Sequence, residues 1–113
     1  MDLKVVDMKP GLTHISLTGK LDVEGEEQIG RQFEQLTSGA GKPTVVDMSG
    51  VTYLASLGIR LLFTCAKSLA GDGKKMVVVG PQPMVEETLR TSGTAGLIPI
   101  ARDLQEAYGL LGM

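Results

Sequence analysis

At 113 residues, with 42% apolar side chains and a formal charge of −2, the chain is one domain's worth of sequence with a single modest core. Its lysines and arginines are scattered, which excludes a basic nucleic-acid field, and no stretch approaches the roughly 20 apolar residues of a membrane span. The N-terminus lacks a signal-peptide pattern and the lone cysteine, Cys65, has no intrachain partner, so a cytoplasmic protein is the expectation.

Leu3-Lys4-Val5-Val6-Asp7-Met8 predicts a strand, and Lys9-Pro10-Gly11 a turn. Thr13 to Thr18 alternates, with Ile15 and Leu17 on one face and His14, Ser16 and Thr18 on the polar one. The short turn makes these strands antiparallel neighbours. His14 is the sole histidine, with no second imidazole to share a metal.

A helix is predicted from Asp22 to about Ser38, with Ile29, Phe33 and Leu36 inward and Glu24, Glu26 and Glu27 loading its first turn. Asp22 is placed to cap it, and Gly25 and Gly30 weaken it. Ser38 to Pro43 is a Gly-rich connector without the spacing of a phosphate-binding loop.

Thr44-Val45-Val46-Asp47 reads as a buried strand ending at Asp47, followed by a turn through Met48-Ser49-Gly50 and a short aliphatic segment. From Ser56 the pattern becomes helical. Leu62, Ala66 and Leu69 form the apolar face, widened by Ile59, Cys65 and Ala70; Arg60, Thr64, Lys67 and Ser68 form the wet stripe. Cys65 is thus expected as a buried small hydrophobe. Ser56, where loop becomes helix, has two readings. It is either an N-cap, worth roughly 1 kcal/mol, or a regulatory hydroxyl at a helix end that tolerates phosphate. The two are compatible.

Lys75 to Gly80 predicts a central strand covered on both faces. Pro81-Gln82-Pro83 launches a short helix, with Val85 and Leu89 inward and Gly93 just past its end. Leu97 to Ile100 predicts a short edge strand, because Pro99 is tolerated there, and a last helix runs from about Asp103 to Leu111. Strands alternating with helices imply an α/β domain with a mixed, mostly parallel sheet of about four or five strands. Periodicity leaves open whether the helices share one face. No Ser-His-Asp or Cys-His pairing and no metal-spaced carboxylate cluster emerges, so an enzyme is not expected, nor any cofactor or metal.

Val45-Val46-Asp47-Met48-Ser49-Gly50-Val51, followed by Leu54-Ala55-Ser56-Leu57-Gly58-Ile59-Arg60-Leu61-Leu62, resembles the signature of the STAS domain. That is the fold of bacterial anti-sigma factor antagonists. Leu17-Thr18-Gly19-Lys20-Leu21-Asp22 upstream, with Met76-Val77-Val78-Val79 and Leu89-Arg90-Thr91-Ser92-Gly93 downstream, extends the likeness over nearly the whole chain. The resemblance implies one STAS domain over residues 1–113, with helices packed largely on one face of the sheet. It further implies an adaptor that binds an anti-sigma factor of the serine-kinase type and frees a sigma factor. That kinase would phosphorylate Ser56 and a metal-dependent phosphatase would restore it. Asp22 and Asp47 match the acidic residues beside the serine, and Gly58 the glycine two positions on. Asp22, Asp47, Ala55, Ser56, Leu57, Gly58 and Arg60 form the implied partner-binding set. Two positions depart from the family pattern, which commonly has Asp directly before the serine and a small residue after it; here stand Ala55 and Leu57. The alternative is a constitutive STAS scaffold, or a subunit of a lipid-transport ABC system, never phosphorylated. The oligomeric state is left between monomer and weak dimer.

Overall fold

Lys9-Pro10-Gly11-Leu12 folds the N-terminal segment back on itself, joining strand β1 (Asp2–Lys9) to β2 (Leu12–Leu21) as an antiparallel pair. The computed structural model describes residues 1–113, and three βαβ crossovers follow this hairpin. Helix α1 (Val23–Leu36) leads to β3 (Thr44–Leu54), α2 (Ser56–Gly71) to β4 (Met76–Val79), and α3 (Pro83–Thr91) to β5 (Ile100–Ala101); α4 (Leu104–Leu110) closes the chain. The sheet order is β1-β2-β3-β4-β5, and β2 through β5 are all parallel. A parallel neighbour needs a crossover longer than a hairpin, and each helix supplies one.

Alternation along the strands divides the apolar residues between two faces. Ile15, Leu17, Val46, Met48 and Val78 meet Phe33 of α1, Leu62 and Leu69 of α2, and Val85 and Leu89 of α3 in the main core. Val45, Val77 and Val79 point the other way and meet Ala107 of α4 in a smaller cluster, which Tyr108 and Leu111 flank. The helices α1, α2 and α3 therefore share one face, and only α4 lies on the other. Cys65 sits in the main core. Burial pushes its thiol pKa above the usual value of 9.0, with the neighbouring Thr37 and Ser38 hydroxyls partly opposing.

Three sequence expectations need correction. The strand predicted to end at Asp47 continues to Leu54, and Met48-Ser49-Gly50 is no turn. The β2–β3 register slips twice, between Ser16 and Thr18 and again between Gly19 and Lys20, so β3 absorbs its extra residues as bulges. Met48, Val51 and Leu54 stay buried through both slips, which keeps the strand attached to the core. His14, assigned to a polar face, is only 6% exposed, since that face is closed nearby by Leu12, Val45 and Tyr108. Finally, the edge strand is shorter and later than expected: Ile98 is buried in the main core, and β5 holds only Ile100 and Ala101.

Candidate partner-binding site

The carboxyl end of β2 and the start of α2 are tied together by one hydrogen bond. Ala55 N–H donates to the Leu21 carbonyl at 3.0 Å. Asp22 follows Leu21 directly and Ser56 follows Ala55, so this bond places the two side by side at one end of the domain. Asp22 caps α1 as its residue type predicts, its Oδ1 accepting from Gly25 N–H at 2.8 Å.

Two glycines make the approach possible. A Cβ on Gly58 would stand 2.6 Å from Leu21 Cγ and 2.7 Å from the Leu21 carbonyl oxygen. One on Gly25 would collide with the Lys20 carbonyl. Both helices thus start pressed against the last two residues of β2, and a side chain at either glycine would push them off.

The expectation that Ser56 caps α2 does not hold. Ala55 occupies the N-cap in extended backbone, and no side chain there accepts a hydrogen bond from the helix. Ser56 is the first helical residue, exposed, and its hydroxyl has no partner in the protein. Helix α2 also carries no acidic residue in its first turn, so no side chain of its own first turn compensates its N-terminal N–H groups and positive dipole end.

Leu57 is 38% exposed beside Ser56, which places its aliphatic group at the surface. Arg60 is exposed one turn on, outside both ion pairs of the molecule, Lys9–Asp7 and Arg90–Glu86. Leu57 and Arg60 line a shallow cleft of about 260 Å3 together with Leu61, Thr64 and Glu26 of α1. Sequence reading named Glu26, Leu61 and Thr64 only for their place in the helices and the motif, and assigned none of them to the site. The available signal was spacing: Glu26 lies four residues after Asp22, and Thr64 four after Arg60, so each shares a helix face with a residue already singled out.

Asp47 is not part of this group. It lies seven residues before Leu54, on the order of 20 Å along an extended strand. It also shares the sheet face of Val45, which packs toward α4, whereas α2 lies on the face of Val46 and Met48. Its Oδ1 accepts from Ser49 N–H at 2.9 Å, bracing the first bulge. A larger hollow of about 440 Å3, lined by Gly80, Glu86, Arg90, Arg102 and Glu106, lies between α3, β5 and α4, apart from Ser56.

The family model described as "Mlab, STAS domain" matches residues 5–99. The chain belongs to the STAS domain family. Among curated proteins it is similar to BtrV of Bordetella bronchiseptica, named as a candidate anti-sigma factor antagonist, at 24% identity over 90% of this chain and 88% of that one. Among solved structures it is similar to a STAS domain protein from Planctomyces limnophilus, with a TM-score of 0.84, 22% identity and complete coverage of both chains. It is similar also to the anti-sigma factor antagonist SpoIIAA in its unphosphorylated form, at a TM-score of 0.77, 18% identity, and 99% and 98% of the two chains. Against the phosphorylated form of Bacillus SpoIIAA the TM-score is 0.67, at 17% identity over 96% and 97%. The match to these structures establishes the STAS fold: a five-stranded mixed sheet opened by an antiparallel hairpin, with four helices. No helix is long and apolar enough to cross a membrane.

Proposed function

We propose that this STAS domain is an anti-sigma factor antagonist whose partner surface is the α2 start, switched by phosphorylation of Ser56. The observation that carries the reading is the position of Ser56. It is an unpartnered hydroxyl at the first residue of a helix whose N-terminal end has no acidic neighbour on its own first turn. The likeness to BtrV and SpoIIAA supports an anti-sigma factor as the partner class. In this proposal that factor is of the serine-kinase type, and a phosphatase reverses the modification.

The physics is local. A phosphate adds about −1.5 to −2 charges and accepts hydrogen bonds strongly; the bare N-terminus of α2 compensates part of that charge within the domain. A partner surface fitted to a neutral hydroxyl beside Asp22 meets like charge and loses its fit. At about 1.4 kcal/mol per factor of ten, a few kcal/mol of lost interface energy releases the partner without a change of fold. Leu57 adds an apolar contact at the centre of the surface, and Arg60 a cation at its rim. Asp47, on the other sheet face, acts only by holding the bulge of β3 in this account.

A second reading, a constitutive STAS scaffold or lipid-transport subunit, is favoured by Ala55, which stands where the resemblance expects an acidic residue. The experiment that separates them is incubation with the cognate kinase-type anti-sigma factor and ATP, followed by mapping of phosphosites. Stoichiometric phosphate on Ser56, absent in Ser56→Ala, supports the switch. No incorporation supports the constitutive subunit.

A further inference from the structure

The sheet ends at β1, whose outer edge has no strand beside it, and Val5, Val6 and Met8 on that edge are 42%, 52% and 44% exposed. Unpaired edges invite another strand, and proteins usually blunt them with charges or bulges. Strand β1 has both, in an arrangement that is complementary to itself. We propose that β1 pairs antiparallel with β1 of a second copy of this chain, joining the two five-stranded sheets into one continuous sheet across a twofold axis near Val5 and Val6.

The sequence Asp2-Leu3-Lys4-Val5-Val6-Asp7-Met8-Lys9 is a charge palindrome. Laid antiparallel on its own copy about its midpoint, it sets Asp2 opposite Lys9, Leu3 opposite Met8 and Lys4 opposite Asp7, each pair occurring twice. In a regular strand this register is forbidden, because residues an odd number apart point to opposite faces of the sheet. The bulge removes the obstacle. Val5 pairs with Ile15 and Asp7 with His14, which leaves Val6 as the inserted residue and shifts the alternation by one. Asp2, Lys4, Asp7 and Lys9 therefore all share one face, while Leu3 and Met8 share the other.

The backbone agrees. Thr13 donates its N–H to Pro43 on the β3 side. Alternate residues of β2 (Leu12, His14, Ser16 and Thr18) are then the ones bonded to β1, through Lys9, Asp7, Lys4 and Asp2. Leu3 and Met8 are left with outward N–H and C=O groups, and they face each other in the proposed register. The charged residues fall at the non-hydrogen-bonded positions, where opposed side chains come closest. A single short strand buries less than the roughly 1,200 Å2 of a standard interface, so the dimer is weak and concentration-dependent. The edge lies two strands from β3, so pairing leaves the start of α2 free.

The test is sedimentation of the full chain from micromolar to millimolar protein, with the Lys4→Asp and Asp7→Lys variants alone and mixed. Wild type is expected to move from monomer toward dimer. Under the twofold, each single variant turns two attractive pairs into two repulsive ones, raising the dissociation constant roughly tenfold or more. The two variants mixed are expected to form a heterodimer, since the aspartate introduced by Lys4→Asp in one chain then meets the lysine introduced by Asp7→Lys in the other. In wild type, amide exchange at Leu3 and Met8 is expected to slow as concentration rises, a readout that needs no variant. A wild type that stays monomeric throughout, or a dimer indifferent to the Lys4→Asp change and to mixing, or one that leaves the Leu3 and Met8 amides unprotected, overturns the proposal.

Discussion

Gly58→Ala adds one methyl group at the tightest point of the α2 start. The new Cβ would lie 2.6 Å from Leu21 Cγ and 2.7 Å from the Leu21 carbonyl oxygen, about 1 Å inside ordinary carbon contact distance. The carbonyl is backbone in β2 and accepts the Ala55 N–H bond, so it has little room to yield. Helix α2 must therefore tilt away from β2, at a cost of roughly 1–3 kcal/mol for overpacking and about 1 kcal/mol if the Ala55 bond is lost. Against this stands a gain of at most about 1 kcal/mol from replacing glycine in a helix. The net expectation is a loss of roughly 1–3 kcal/mol, seen as a fall in Tm of about 4 °C or more by thermal denaturation. Gly109→Ala in α4 is the control, because a Cβ there meets nothing within 4 Å and its φ is not positive. It should be neutral or stabilising by up to about 1 kcal/mol. If Gly58→Ala melts at or above the wild-type temperature while Gly109→Ala behaves as stated, the close packing of α2 on Leu21 is refuted.

The caps predict opposite outcomes at the two helices of the site. Asp22→Ala removes the acceptor for Gly25 N–H and should cost about 1 kcal/mol in urea unfolding, whereas Ala55→Asp supplies an acceptor α2 lacks and should gain about 1 kcal/mol. Ser56→Ala, which deletes no hydrogen bond, should leave stability within about 0.5 kcal/mol of wild type. The buried Cys65 thiol should resist thiol reagents at neutral pH and react at the rate of unfolding. Its raised pKa means that the folded state holds the proton more tightly. The stability this contributes is fully present below the unfolded value near 9.0 and is lost as pH rises through the folded value. The destabilisation caused by Cys65→Ala should therefore be largest at neutral pH and shrink in alkaline melts.

Where a signal was local, the sequence carried it: Asp22 before an acidic turn, the inward Ile29 and Phe33, the hairpin at Pro10-Gly11, and the helix that opens at Ser56. What it hid depended on distant partners. Ser49 and Gly50 are turn formers by type, and only the register with Thr18 and Gly19 reveals a bulge instead. His14 sits in a polar alternation, and it is buried beside Val45 of β3, its partner in the sheet some thirty residues away. Ser56 has the chemistry of a cap, yet Ala55 takes that position because its N–H is held by Leu21. Asp47 lies close to Ser56 in the motif, but nearness along a strand is distance in space. The group that the structure brings together at the α2 start is accordingly narrower at Asp47 and wider at Glu26, Leu61 and Thr64.

The central claim, that Ser56 controls binding of an anti-sigma factor, is tested most directly by affinity capture from the native cell extract. Wild type and Ser56→Asp would be used as baits and partners identified by mass spectrometry. The account predicts a serine-kinase-type anti-sigma factor with wild type and its loss with Ser56→Asp, whose charge mimics part of the phosphate. Recovery of a transporter ATPase or a scaffold protein with both baits would contradict it.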